Sequence, residues 1–153
     1  MKTIVLGVGN PILRDDGVGL HVIEAVRKRR LNDPDISIDT ACTGGLNLLD
    51  MIRGYEKVIL VDAIIQEHGS PGEVKRFTVH DATSLHSGNP HDVSLVEALR
   101  LARDLGETQL PKEIVVIGII VRQTLDFGEH LSREVKRAVP TAVRMVLSEL
   151  KHT

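Results

Sequence analysis

Apolar residues along this chain fall into two patterns, short unbroken runs and stripes at helical spacing. Ile4-Val-Leu-Gly-Val-Gly9 is a run that ends in glycine and gives way to a Gly/Pro loop, so it reads as a buried strand. Val18, Val22, Ile23 and Val26 then recur on one side of an amphipathic helix. Ile36-Ser-Ile38 alternates like a short strand. Thr43-Gly-Gly45 opens a second helix, carried by Leu46, Leu49 and Ile52 and stopped near Gly54. Lys57-Val-Ile-Leu-Val-Asp62 is the clearest buried strand, with a carboxylate at its carboxyl end.

Gly69, Pro71 and Gly72 make a turn, after which Glu73–Val79 reads as another strand and His80–Asp92 as a polar loop broken by Gly88, Asn89 and Pro90. Ser94-x-x-Glu97 has the form of a capping box. Leu95, Leu99 and Ala102 continue it as a helix ending near Gly106, and Glu113–Ile120 is a strand. Ser132 is placed to cap a final helix whose stripe is Val135, Ala138, Val139, Ala142, Val143, Val146, Leu147 and Leu150, bent at Pro140. About five strands alternating with four or five helices predict an α/β fold. Its form is a three-layer sandwich, a twisted and mainly parallel sheet flanked by helices on both faces. No linker or repeat interrupts the 153 residues, so 1–153 reads as one domain.

Composition narrows the function classes. Hydrophobic residues are 42% and charged residues 26%, ordinary for a globular protein, but aromatics are only 2%, so the interior must be aliphatic. A net charge of −2 gives no argument for nucleic acid or membrane as partner. The basic cluster Arg27-Lys-Arg-Arg30 falls at a helix C-terminus, where it complements the dipole. The lone Cys42 excludes an internal disulfide and fits a reducing compartment; the residue itself reads as a small buried hydrophobe. No apolar stretch approaches the ~20 residues that span a bilayer. Met1-Lys2 leads into a strand rather than a secretory signal, so a cytoplasmic location is expected.

Candidate chemistry lies where strands end. Asp15 and Asp16 stand between the first strand and its helix, and one of them is accounted for by helix capping. The second needs another reason. Asp62 ends the third strand, and His91 lies in the loop that leads into a helix. In a right-handed parallel arrangement, these positions converge on the carboxyl edge of the sheet, where ligands bind. Two carboxylates and an imidazole suit a divalent transition metal such as nickel or zinc, and three protein ligands leave coordination positions open for chemistry. Simpler explanations stay open: Asp62 binding loop amides, His91 as an exposed loop residue, and His86 as its competitor. His21, His68, His80, His130 and His152 read as surface or packing residues. A nucleotide-binding α/β protein is the alternative raised by Gly7-Val8-Gly9, although the third glycine of the dinucleotide fingerprint falls on Ile12. No Gly-Lys-Ser/Thr phosphate loop or Gly-x-Ser-x-Gly elbow is present, and Cys42 has no evident partner.

Gly7-Val-Gly-Asn10, Asp15-Asp-Gly-Val-Gly19, Val61-Asp-Ala63 and Pro90-His-Asp-Val-Ser-Leu95 together resemble the hydrogenase maturation endopeptidases over nearly the whole chain. These enzymes clip a C-terminal extension from the large subunit of nickel–iron hydrogenases. The resemblance implies a sheet flanked by helices on both faces and places the family's metal-contacting residues on Asp16, Asp62 and His91. It also implies that the nickel is supplied by the precursor subunit and reports finished cofactor assembly. Asp15 then becomes a candidate for activating water if the metal serves recognition alone. A non-catalytic nickel-binding assembly partner would use the same ligands. A monomer suits an enzyme that must embrace a large substrate. Two departures, Ala41-Cys-Thr-Gly-Gly45 where the family often has Gly-Gly-Thr-x-Gly and Val121-Arg-Gln123 where it often has Gln-Pro, leave the particular hydrogenase open.

Overall fold

The computed structural model describes residues 1–29, 31–42, 45–66, 68–78, 86–87, 95–122 and 127–151. Its strands are β1 (Thr3–Val8), β2 (Ile36–Ala41), β3 (Lys57–Ile65), β4 (Val74–Thr78), β5 (His86–Ser87) and β6 (Glu113–Ile120). The helices are α1 (Val18–Arg27), preceded by a 3-10 turn at Arg14–Gly17, then α2 (Gly45–Ile52), α3 (Leu95–Asp104) and α4 (Arg133–Lys151). The sheet runs β2-β1-β3-β6-β4, with β5 beside β3. β2, β1, β3 and β6 are parallel, while β4 lies antiparallel on β6 and β5 antiparallel on β3. The expected α/β sandwich with a mainly parallel sheet is therefore the observed fold.

Strand residues sort by alternation. Val5, Ile59, Val61, Val115 and Ile117 face a core shared with α1 and α4. Ile4, Leu6, Val58, Leu60, Ile114 and Val116 face a second core with α2 and α3. Covering both faces is what makes unbroken apolar runs the stable choice, each buried aliphatic side chain being worth roughly 1.5–3 kcal/mol.

Several expectations shift. β3 continues three residues past Asp62 because β5, inside the segment read as polar loop, supplies a partner for Ile64 and Ile65. α4 runs unbroken through Pro140, and the carbonyl of Ser132 accepts from Lys136 N–H at 2.8 Å, the first bond of the helix. Cys42 is exposed rather than buried, since the chain leaves the sheet after Ala41 on the edge strand β2. Thr43, Gly44 and Ser94 lie outside the described residues.

At the amino end of β3 the sheet hides a charge. Lys57 is 1% exposed; its Nζ donates to the Glu149 carbonyl at 3.1 Å and pairs with the Glu149 carboxylate at 3.3 Å. Arg76 Nε also hydrogen-bonds that carboxylate. Burial alone would raise the Glu149 carboxyl, but hydrogen bonds from Arg76 and Lys57 outweigh it and hold the group below the usual carboxylate range. A lowered folded-state pKa adds stability that is present above the unfolded value and lost as pH falls through the folded one. Lys57→Ala should destabilise the protein by about 3 kcal/mol in urea denaturation at neutral pH. Glu149→Gln should lose stability at neutral pH, with the gap to wild type closing as both are titrated into acid.

Candidate active site

The chain steps outward from β1 to β2 and then returns to the other side of β1 for β3, so strand order reverses between β1 and β3. Open α/β sheets bind ligands in the crevice above such a reversal. At this reversal the strand ladders end at different heights. The β1–β3 ladder stops at Gly7 and Val61, while β3 stays paired with β6 as far as Ile64 and Ile120. β5 then pairs with β3 at Ile64 and Ile65. Asp62 thus lies on β3 between the point where β1 departs and the point where β5 arrives. By alternation with Val58 and Leu60 it belongs to the α2/α3 face, half-buried.

Past β1 the backbone folds back on itself. An added Cβ on Gly9 would collide with the carbonyl oxygen of Asp16, so only glycine lets the 3-10 turn lie over the end of β1. An added Cβ on Gly19 would strike the Val61 carbonyl, and one on Gly7 would strike Ile23 and stand 2.6 Å from the Gly19 carbonyl. The turn carrying Asp16 therefore packs against β3, the strand that carries Asp62. The space beside Gly7 and Gly9 is filled by the protein's own backbone and Ile23.

The two adjacent carboxylates have different partners. Asp16, 8% exposed, accepts from Asn10 N–H at Oδ2, 2.8 Å away. Asp15, 7% exposed, accepts from Ser132 N–H at Oδ1 (2.7 Å) and from the Ser132 hydroxyl at Oδ2 (2.8 Å). The N-cap of α1 is Gly17, with no side-chain hydrogen bond. The expected cap of α1 is thus absent, and Asp15 instead secures the start of α4. Asp15 therefore has a structural role, tying the 3-10 turn to the start of α4. Neighbouring bonds join the same two loops: Arg14 N–H donates to the Gly128 carbonyl at 2.9 Å and Gly128 N–H to the Ile12 carbonyl at 2.8 Å.

Asp16 thus lies in the turn packed on β3, and Asp62 lies on β3 itself. His91 lies outside the described residues, as do His80 and His152; β5 and α3 are the described elements on either side of it. His86 falls on β5 with its backbone opposite Ile65. His21, His68 and His130 are exposed, as read. No group of three His, Cys, Asp or Glu side chains fit to hold a metal occurs among the described residues. Sequence reasoning missed Asn10 and the Asp15–Ser132 link. Asn10 carries a detectable signal, being the first residue after the glycine loop, but Ser132 was visible only as a helix cap.

Residues 20–149 match a family model described as HycI, hydrogenase maturation protease. The chain is 28% identical over 155 residues to the hydrogenase 2 maturation protease of Escherichia coli (strain K12), covering 100% of this chain and 93% of that protein. Among solved structures it resembles the hydrogenase maturating endopeptidase HybD from E. coli with a TM-score of 0.84, at 27% identity and 99% and 93% coverage. HybD of Thermococcus kodakarensis, a nickel–iron hydrogenase maturation protease, gives a TM-score of 0.73, also at 27% identity, over 97% and 98% of the two chains.

Ser132→Ala removes a hydroxyl donor from a buried carboxylate and should cost about 1–3 kcal/mol of stability by chemical denaturation. Gly9→Ala, which sets a methyl group on a backbone carbonyl, should prevent the turn from closing and cost at least as much.

Proposed function

The chain belongs to the hydrogenase maturation protease family, and on that premise we propose that it is a nickel-dependent, site-specific endopeptidase. Its substrate is the precursor large subunit of a nickel–iron hydrogenase, from which it removes the C-terminal extension once nickel is in place. The observation that supports this most is the packing of the turn that carries Asp16 against β3, the strand that carries Asp62, at the reversal of strand order. With His91 as third donor, the set is two carboxylates and one imidazole, a chemistry suited to a borderline divalent cation. Asp16 is oriented for this by Asn10 N–H. One hydrogen bond does not exhaust a carboxylate, which offers about four lone-pair sites.

On this reading nickel belongs to the substrate, and the enzyme recognises it while the adjoining peptide lies across the same crevice. Asp15 holds Ser132, and on this reading activation of the attack falls to the cation–carboxylate centre. A divalent cation there polarises a carbonyl or lowers the pKa of a bound water. The reaction takes place in the cytoplasm, and the enzyme acts as a monomer.

The deciding experiment compares two preparations of the same precursor, nickel-loaded and nickel-free. Cleavage of the loaded form alone is expected, and equal cleavage of the two would remove nickel from the mechanism. Asp16→Ala, Asp62→Ala and His91→Ala should each lower processing by at least about 100-fold, the loss typical of removing a group that acts on the transition state. His86→Ala should stay near wild type. The reverse outcome for the two histidines would move the ligand role to His86.

A further inference from the structure

Asp15 carries a charge where neither of the helices it borders needs one. It is 7% exposed, and burying a carboxylate is costly unless its oxygens are engaged. The N-cap of α1 is Gly17, with no side-chain hydrogen bond, so that helix does not use Asp15. α4 has its own beginning in Ser132, whose carbonyl accepts from Lys136 N–H at 2.8 Å. A serine in such a place caps a helix through the lone pairs of its hydroxyl and requires no acid beside it. Yet Asp15 takes both the Ser132 N–H at 2.7 Å and the Ser132 hydroxyl at 2.8 Å, across 117 positions of sequence. What this tie adds, beyond starting a helix, is a hold on the residue next to Asp15, which is Asp16.

We propose that Asp15 is a positioning residue: through Ser132 it anchors the turn to α4 and so fixes the place of Asp16, without itself exchanging a proton in the reaction. This rests on the function proposed above and gives the neighbouring carboxylate its task in it. Three contacts close on Asp16 from its own loop. Its carbonyl lies over Gly9, its N–H donates to the Leu13 carbonyl at 3.1 Å, and its Oδ2 accepts from Asn10 N–H at 2.8 Å. Those partners belong to the approach to the turn, so none of them joins Asp16 directly to another element. The main-chain bonds to Gly128 hold Ile12 and Arg14 at the entry of the turn, where Arg14 is strained at φ of 47°. Asp15 ties the turn, one residue from Asp16, to a 19-residue helix packed on α1 and β6. A group that acts on substrate keeps its place when neighbouring bonds lock it, and a displacement of about 1 Å there costs up to about 100-fold in rate.

The test uses the full chain on nickel-loaded large-subunit precursor, with circular dichroism at the assay temperature to show that each variant is folded. Asp15→Ala should lower kcat/KM by about tenfold or more. Asp15→Asn should recover most of that loss, because it keeps an oxygen for the Ser132 N–H and offers the Ser132 hydroxyl a donor to accept from. If Asp15→Ala does not fold, Ser132→Ala takes its place, with Ser132→Thr restoring the hydroxyl and most of the rate. In an Asp16→Ala background, the Asp15 substitution should add less than about twofold, as expected of a residue that acts through another. Nickel chloride titrated alone into the free protein should bind about tenfold more weakly to Asp15→Ala than to wild type, a loss that a purely stabilising group would not cause. Wild-type kcat/KM in folded Asp15→Ala, a multiplied loss in the Asp16→Ala background, or unchanged nickel binding would each overturn the proposal. So would an Asp15→Asn as inactive as Asp15→Ala, which would make the charge and not the tie the working part. If the wild-type chain cleaves no precursor, the function proposed above fails and the nickel titration alone decides. Weaker binding in Asp15→Ala than in wild type then upholds the positioning, and equal binding, or none in either, overturns it.

Discussion

Asp15 and Asp16 are neighbours in sequence and almost equally buried, and the fold depends on their carboxylates going to different partners. A 3-10 turn makes this possible: at about three residues per turn, consecutive side chains diverge by about 120°. Asp15 crosses 117 positions of sequence to hold the start of α4, while Asp16 stays local and is held by Asn10. Had the pair sat on one side, two like charges would share a site out of water, which raises the pKa of one of them and disfavours its ionised form. Entry into the turn is strained. Arg14 has φ of 47°, a left-handed conformation that costs a non-glycine residue roughly 1–2 kcal/mol. Its N–H bond to Gly128 and the Gly128 bond to Ile12 offset that strain.

The same tie explains how a loop can carry a site without being loose. Loops place functional groups well only when a rigid scaffold fixes their ends. Here the glycines at positions 7, 9 and 19 let the turn, α1 and β3 approach until backbone meets backbone, and Asp15 joins that unit to α4. Charge that serves stability is kept at the other end of the sheet, where Lys57, Glu149 and Arg76 meet. Disturbance of that cluster acts on folding and not on the crevice, so the two roles can be separated by mutation.

What could be read from the residues was whatever has a local period. The runs at Ile4–Val8, Val58–Val61 and Ile114–Ile120 are strands because a twice-covered sheet needs apolar residues on each face, and the helix stripes follow the same logic. The carboxyl edge of the sheet was legible as the place to look for chemistry because parallel strands send their carboxyl ends one way. Gly7 and Gly9 announced a close approach, but sequence does not say what approaches; it is the Asp16 carbonyl and α1, where a phosphate was the other reading. β5 was hidden because two residues have no period, and its pairing decides how far β3 runs. The links Asp15–Ser132 and Lys57–Glu149 join positions 117 and 92 apart, and no pattern along the chain encodes the partner of a carboxylate at that distance. Cys42 was misjudged because its residue type predicts burial, whereas its place just past an edge strand decides exposure.

On the proposed reading, selectivity arises from two weak contacts required together. A centre with two carboxylates and an imidazole, left open to receive substrate, holds a free divalent cation less firmly than a closed four-ligand cage would. A short peptide tail without the cation is held weakly as well. A precursor that carries nickel beside its own tail presents them joined, so once one contact forms the second becomes intramolecular and its effective concentration rises steeply. An immature precursor offers the tail without the cation, and a finished hydrogenase offers the cation without the tail. Neither gains the second step. Discrimination of this kind needs no moving part in the enzyme: it needs the turn that carries Asp16 held in one place, which is what the Asp15–Ser132 tie provides.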